Sequence, residues 1–171
     1  VIKLNDAFLS IYQKASELII KVASLIEETH PGIRNLFDVA SLAASPVRLL
    51  FYHPSTTNQF GAGHYDKSKL TIQIAESHEG LRVAPNKDSP LQPIVRDANM
   101  AVVFPGRGLR ETFGDNTPYP PGWHDIIRAA KFNQGRTVPT KAAEVCARWA
   151  LIFFANGKDF VMPDKTLMHT R

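Results

Sequence analysis

His64-Tyr65-Asp66 sets an imidazole and a carboxylate two residues apart in this 171-residue chain. Glycines precede the triplet in Gly61-Ala62-Gly63, and the strand-like run Leu70-Thr71-Ile72-Gln73-Ile74 follows it. In an extended chain residues i and i+2 point to one side, so His64 and Asp66 can converge on one object. On the same parity Leu70, Ile72 and Ile74 are expected to continue toward a core. A neutral imidazole nitrogen and a carboxylate oxygen together suit a borderline divalent metal such as ferrous iron. Two ligands hold such an ion poorly, so a third is needed.

Six histidines are available. His30 sits at a helix stop, His53 and His78 lie beside turns, and His169 belongs to the tail. His124 differs, because it enters the β-like segment Trp123-His124-Asp125-Ile126-Ile127 after a long polar loop. It is the candidate third ligand. Two histidines and one carboxylate on one face of an octahedron leave the other positions open to a co-substrate and dioxygen, the arrangement of non-haem ferrous oxygenases.

The surrounding elements must position these groups. Leu4 to Ile26 has the apolar spacing of an amphipathic helix, with Asn5 or Asp6 as cap and His30-Pro31-Gly32 as stop. A second, shorter helical pattern runs from Ile33 to Leu42. Beyond Ser45-Pro46 the texture is β-like: strands are expected over Val47–Tyr52, Leu70–Ile74, Glu79–Val83, Pro93–Val95, Ala98–Phe104, Trp123–Ile127 and Arg148–Phe154. Thr112–Gly122 reads as a loop. The pattern predicts a mainly β fold, an antiparallel barrel or jelly roll, with residues 1–45 as an N-terminal helical buttress and 46–171 as the core, in one structural unit.

Length and composition are those of a globular domain. The net charge of +4 is mild and its basic residues are scattered, so nucleic acid is not the expected partner. Cys146 is the lone cysteine, which excludes a disulfide framework and fits a reducing, cytoplasmic setting. No apolar run reaches the roughly 18 residues needed to span a membrane, and no signal-peptide pattern opens the chain. Starting on Val1 rather than Met, the chain is expected to be a fragment or incompletely observed.

Taken in order, these motifs resemble the iron(II)- and 2-oxoglutarate-dependent dioxygenases, in particular the isopenicillin-N-synthase-like, plant-type branch. The resemblance runs through His64-Tyr65-Asp66, Leu70–Ile74, Gly80-Leu81-Arg82-Val83, Ala101–Gly106, His124 and Arg148-Trp149-Ala150, from about Val47 to Phe154. It implies a double-stranded β-helix, with His64, Asp66 and His124 as the catalytic iron(II) ligands. It also implies that Arg148 holds the far carboxylate of 2-oxoglutarate, a task a guanidinium performs through two parallel charged hydrogen bonds. Tyr52-His53-Pro54 resembles the Tyr-Tyr-Pro of plant members, which brings Tyr52 and His53 toward the co-substrate. The chain departs from the pattern at Ala150, where the family has Ser. A longer segment also separates His124 from Arg148, and Arg136 within it is the alternative carboxylate anchor. Thr140–Ala147 has helical character, which would make Arg148 a solvated last turn.

The expected activity is oxidation of a small-molecule substrate, coupled to conversion of 2-oxoglutarate and dioxygen to succinate and carbon dioxide. A cupin-like metal enzyme that uses no 2-oxoglutarate, and a degenerate β-barrel binding module, are the competing readings. The loops Pro85–Ser89 and Thr112–Gly122 and the segment after Ile127 are expected to set the substrate. Neither the substrate nor the oligomeric state can be read from the residues.

Overall fold

A computed structural model describes residues 2–53, 59–97, 99–115, 117–128 and 148–159. Helix α1 (Ile2–Glu27) is followed by a 3-10 turn (Arg34–Leu36) and a short α2 (Val39–Leu42). Eight strands follow: β1 (Val47–Tyr52), β2 (Gln59–His64), β3 (Leu70–Glu76), β4 (Leu81–Ala84), β5 (Gln92–Pro93), β6 (Val102–Pro105), β7 (Trp123–Ile127) and β8 (Arg148–Ala155). Helix α3 (Arg107–Phe113) lies between β6 and β7. The strands form two antiparallel sheets, ordered β1-β8-β3-β6 and β2-β7-β4-β5.

The larger sheet is apolar on the face toward α1. Leu70 and Ile72 of β3 and Phe153 and Ala155 of β8 pack there with Ala15, Ile19 and Ala23 of the helix. Ile19, Ile72 and Phe153 are completely buried, and each such side chain contributes about 1.5–3 kcal/mol. The small Ala15 and Ala23 let the helix lie close to the strands. Residues of the other parity on β8, from Arg148 to Phe154, therefore face away from α1, toward the smaller sheet.

Local chemistry explains several differences from expectation. The single helix expected over Ile33–Leu42 breaks at Asp38. That carboxylate accepts a 2.7 Å hydrogen bond from the Ser41 amide, and the Ser41 hydroxyl accepts one of 2.9 Å from the Asp38 amide. This capping box starts a new helix instead of continuing the old one. The glycine-flanked segment before His64 is itself a strand, β2, because its backbone pairs with β7 whatever its side chains. The strand expected over Ala98–Phe104 contracts to β6, and that over Pro93–Val95 becomes the two-residue β5. The start of the expected Thr112–Gly122 loop belongs to α3.

Parity also shifts. Leu70, Ile72 and Ile74 do pack in a core, but it is the one under α1, and Thr71 is the β3 residue that touches Asp66. The bend at Lys67–Lys69 separates the two parities. A register shift between Gln73 and Ala75 changes parity again: Ala75 pairs with Leu151 and Glu76 with Ala150, so Glu76 turns inward. Bulges commonly re-aim side chains in this way.

Candidate metal centre

Cross-strand pairing brings the two histidines together. His64 ends β2, His124 is the second residue of β7, and the two are direct partners in the antiparallel ladder. Such partners have Cβ atoms about 4.5–5.5 Å apart. Their ring centroids are 4.3 Å apart. Asp66 reaches the same point from the turn after β2, its Oδ1 lying 3.5 Å from His64 Nε2 and 3.7 Å from His124 Nε2. One ligand atom from each of the three lies within 4.8 Å of the others.

Each side chain is oriented by a second contact. His64 Nδ1 is 2.8 Å from the Ala62 carbonyl, and His124 Nδ1 is 3.0 Å from the Gly122 carbonyl. A carbonyl can only accept, so each imidazole carries a proton on Nδ1 and directs its Nε2 toward Asp66. The other oxygen of Asp66 accepts a 2.7 Å hydrogen bond from the Thr71 hydroxyl, which in turn lies 2.8 Å from the Ser68 hydroxyl. Oδ1 is thereby left to face the histidines.

The turn that carries Asp66 is clamped from below by the β6–α3 junction. Arg107 N donates to the Asp66 carbonyl at 2.8 Å, and Gly106 N to the Lys69 carbonyl at 3.0 Å. A Cβ on Gly106 would stand 2.1 Å from the Ser68 carbonyl oxygen, so only glycine permits this approach.

Electrostatics agree with a ligand set. Burial raises the Asp66 carboxyl, but the His64 hydrogen bond, the His124 charge and the Thr71 hydroxyl outweigh it and hold the group below its ordinary value. The Asp66 hydrogen bond raises half-exposed His64, whereas burial lowers His124. A carboxylate beside a neutral, buried imidazole is the donor set a borderline divalent ion takes. Bonds of about 2.1 Å to a common ion place neighbouring donors roughly 3.0–3.4 Å apart. The observed 3.5 and 3.7 Å match this after a closure of a few tenths of an ångström. The residues fit a metal.

Arg148 is the first residue of β8 and only 1% exposed, not the solvated end of a helix. Its Nε donates to the His78 carbonyl at 3.1 Å, its Nη2 is hydrogen-bonded to Glu76, and its guanidinium lies 5.0 Å from the Tyr52 ring centroid. Tyr52 and Arg148 are cross-strand partners. Burial pushes the Tyr52 phenol up against the opposing charge of Arg148, and Asp66 and Glu76 add to the rise. Tyr52 thus lies within electrostatic reach of both the His–Asp–His cluster and the arginine. Gly80 makes room for Arg148: a Cβ there would sit 3.3 Å from Arg148 Nε and 2.4 Å from the Ile127 carbonyl oxygen.

His53 is exposed at the end of β1. Trp123 packs edge-on against Tyr65 at 4.9 Å, and the ring beside His124 is that of Phe104, also at 4.9 Å. Arg82 is forked onto Asp125 through bonds of 2.9 and 2.6 Å, and Arg110 pairs with Asp115. Arg136 and the Thr140–Ala147 segment lie outside the described residues. Ser68, which the sequence reading takes as finishing a turn, completes the neighbourhood with Thr71 and Glu76, which were not singled out from the sequence. Only the Leu-Thr of the strand after His-x-Asp pointed at one of them.

No protein-family model matches the sequence, and no characterised protein is significantly similar to it. Solved structures nevertheless share its architecture. A Shewanella oneidensis protein provisionally described as an oxygenase superposes with a TM-score of 0.72 at 19% identity, over 97% of this chain and 60% of that one. A full-length Neurospora crassa protein in complex with alpha-ketoglutarate and 5-formyluracil gives 0.70 at 17% identity, over 94% and 50%. A Caulobacter crescentus protein provisionally placed in the 2OG-Fe(II) oxygenase family gives 0.58 at 19%, over 86% and 45%. The chain therefore spans 60% or less of the length of these structures. Its fold is the double-stranded β-helix, or jelly roll, that they share.

Proposed function

We propose that the protein is a non-haem iron(II)- and 2-oxoglutarate-dependent oxygenase of the isopenicillin-N-synthase-like, plant-type branch. In this reading it oxidises a small molecule. The observation that carries it is the convergence of His64, Asp66 and His124, with buried Arg148 and half-buried Tyr52 side by side on the inward face of the adjoining sheet. Iron(II) held by the three side chains would supply the redox chemistry with dioxygen. The protein's own residues bind and orient: Ala62 and Gly122 fix the imidazole tautomers, Thr71 fixes the Asp66 rotamer, and Arg148 with Tyr52 receives the far carboxylate of 2-oxoglutarate. His53, at the strand end beside Tyr52, belongs to the rim of that pocket.

A surface cavity of about 530 Å³ is lined by Tyr65, by Arg107, Arg110 and Glu111 of α3, and by Gly114, Asp115 and Pro121 of the loop after it, with none of the three cluster side chains in its wall. The loop after α3 is one the sequence marks as substrate-setting, and the pyrimidine bound by the Neurospora crassa structure supports a small-molecule substrate. No helix among the described residues is long and apolar enough to cross a membrane, and a reducing cytoplasm would keep the iron ferrous.

The deciding experiment is an anaerobic titration with ferrous iron and then 2-oxoglutarate. A charge-transfer band that appears only with both, and succinate formation on admitting air, are expected. Iron binding without any response to 2-oxoglutarate would point instead to a cupin-like enzyme, and absence of metal binding to a binding module. Thr71→Val should weaken ferrous-iron affinity about 10–100-fold, the usual effect of losing an orienting contact to a metal ligand. Unchanged affinity, measured by anaerobic calorimetry, would remove Thr71 from the site.

A further inference from the structure

Glu76 is bracketed by two buried arginines. Its Oε1 accepts from Arg96 Nε at 3.0 Å, and its Oε2 from Arg148 Nη2. The three side chains are 6%, 9% and 1% exposed for Glu76, Arg96 and Arg148. Arg96 is itself anchored on the carbonyls of Ile74 and Met100. Two guanidinium groups thus share one carboxylate where little water reaches. Ala150, the cross-strand partner of Glu76, adds no polar atom.

Resting on the 2-oxoglutarate reading above, we infer that Glu76 is a placeholder carboxylate. It occupies the edge of Arg148 that the far carboxylate of the co-substrate takes, and gives it up while staying bound to Arg96. The exchange breaks one carboxylate–guanidinium contact and makes another, with no proton moved. Arg96 keeps Glu76 compensated after it leaves, and the incoming carboxylate takes its place on Arg148, so each guanidinium faces a carboxylate. Without Arg96 the exchange would strand a buried carboxylate, which costs several kcal/mol. Glu76 is thus a specificity-determining residue. A 2-oxo acid lacking the far carboxylate cannot replace it on Arg148.

The test is calorimetry of the Mn(II)-loaded protein with 2-oxoglutarate and, separately, with 2-oxobutyrate, which lacks the far carboxylate. Glu76→Gln is expected to tighten 2-oxoglutarate on the order of tenfold, the lower end of what removing one member of a close charge pair is worth. It should leave 2-oxobutyrate unchanged. Arg96→Met, which leaves Glu76 to Arg148 alone, should weaken 2-oxoglutarate several-fold and again spare 2-oxobutyrate. Unchanged or weaker 2-oxoglutarate binding by Glu76→Gln overturns the inference. So does an equal gain for both ligands, which would report only the lost charge. If Glu76→Gln does not fold, an unaltered ligand ratio in Arg96→Met overturns it. Binding of Mn(II) with no 2-oxoglutarate binding by wild type or variants instead sinks the parent reading.

Discussion

Asp66→Ala is expected to abolish the proposed ferrous-iron binding: the expected loss is at least about 100-fold, beyond the 10–100-fold that removal of a mere orienting contact costs. Asp66 supplies the only anionic donor among the three, and it faces both imidazoles at 3.5 and 3.7 Å. Without it, two neutral nitrogens remain, too few and too weak to retain a hard-to-borderline divalent ion. The fold should survive, because the clamp on this turn is made by backbone atoms. The Asp66 carbonyl that accepts from Arg107 N is kept in the variant. Anaerobic titration beside circular dichroism separates the two effects. A well-folded Asp66→Ala protein that takes up iron like wild type ends the metal reading.

On the proposed function, Arg148→Met is expected to act on stability and on co-substrate binding together. The arginine is almost wholly buried, and its removal leaves Glu76 with Arg96 as its remaining partner. Breaking a buried pair costs about 3–5 kcal/mol when the other charge is stranded. Since Arg96 compensates Glu76 in part, the lower end, about 3 kcal/mol, is expected. For a chain of this length that is a fall in Tm of roughly 6–12 °C. Iron binding should persist, since the contacts among His64, Asp66 and His124 do not run through Arg148, while the 2-oxoglutarate-dependent band disappears. Thermal melts and the anaerobic titration check both halves. Retained 2-oxoglutarate affinity would pass the anchoring role to Arg136, and a wild type indifferent to 2-oxoglutarate would favour the cupin-like alternative.

The histidine and aspartate of His64-Tyr65-Asp66 were legible because their spacing is local. So were the amphipathic α1 and strands β1, β3, β7 and β8, whose apolar or β-branched residues declare their own conformation. β2 was not, since Gly61, Ala62 and Gly63 carry no side-chain signal and become a strand only by pairing with β7. Helix α3 escaped notice because its start depends on the approach of Gly106 to the Ser68 carbonyl, a contact between distant segments.

Local composition thus dictated the residue types of the cluster, its order along the chain and the mainly β character of the domain. The sequence singled out His124 as the third ligand, but only the register of β2 against β7 sets it directly opposite His64. Tertiary structure alone decided the inward turn of Glu76. By simple alternation Glu76 shares the parity of Leu70 and Ile72 and would point at α1; one bulge in β3 reverses this and sets it against Arg148. Strand parity is a property of each residue's neighbours in sequence, whereas register and bulges are chosen by the partner strand.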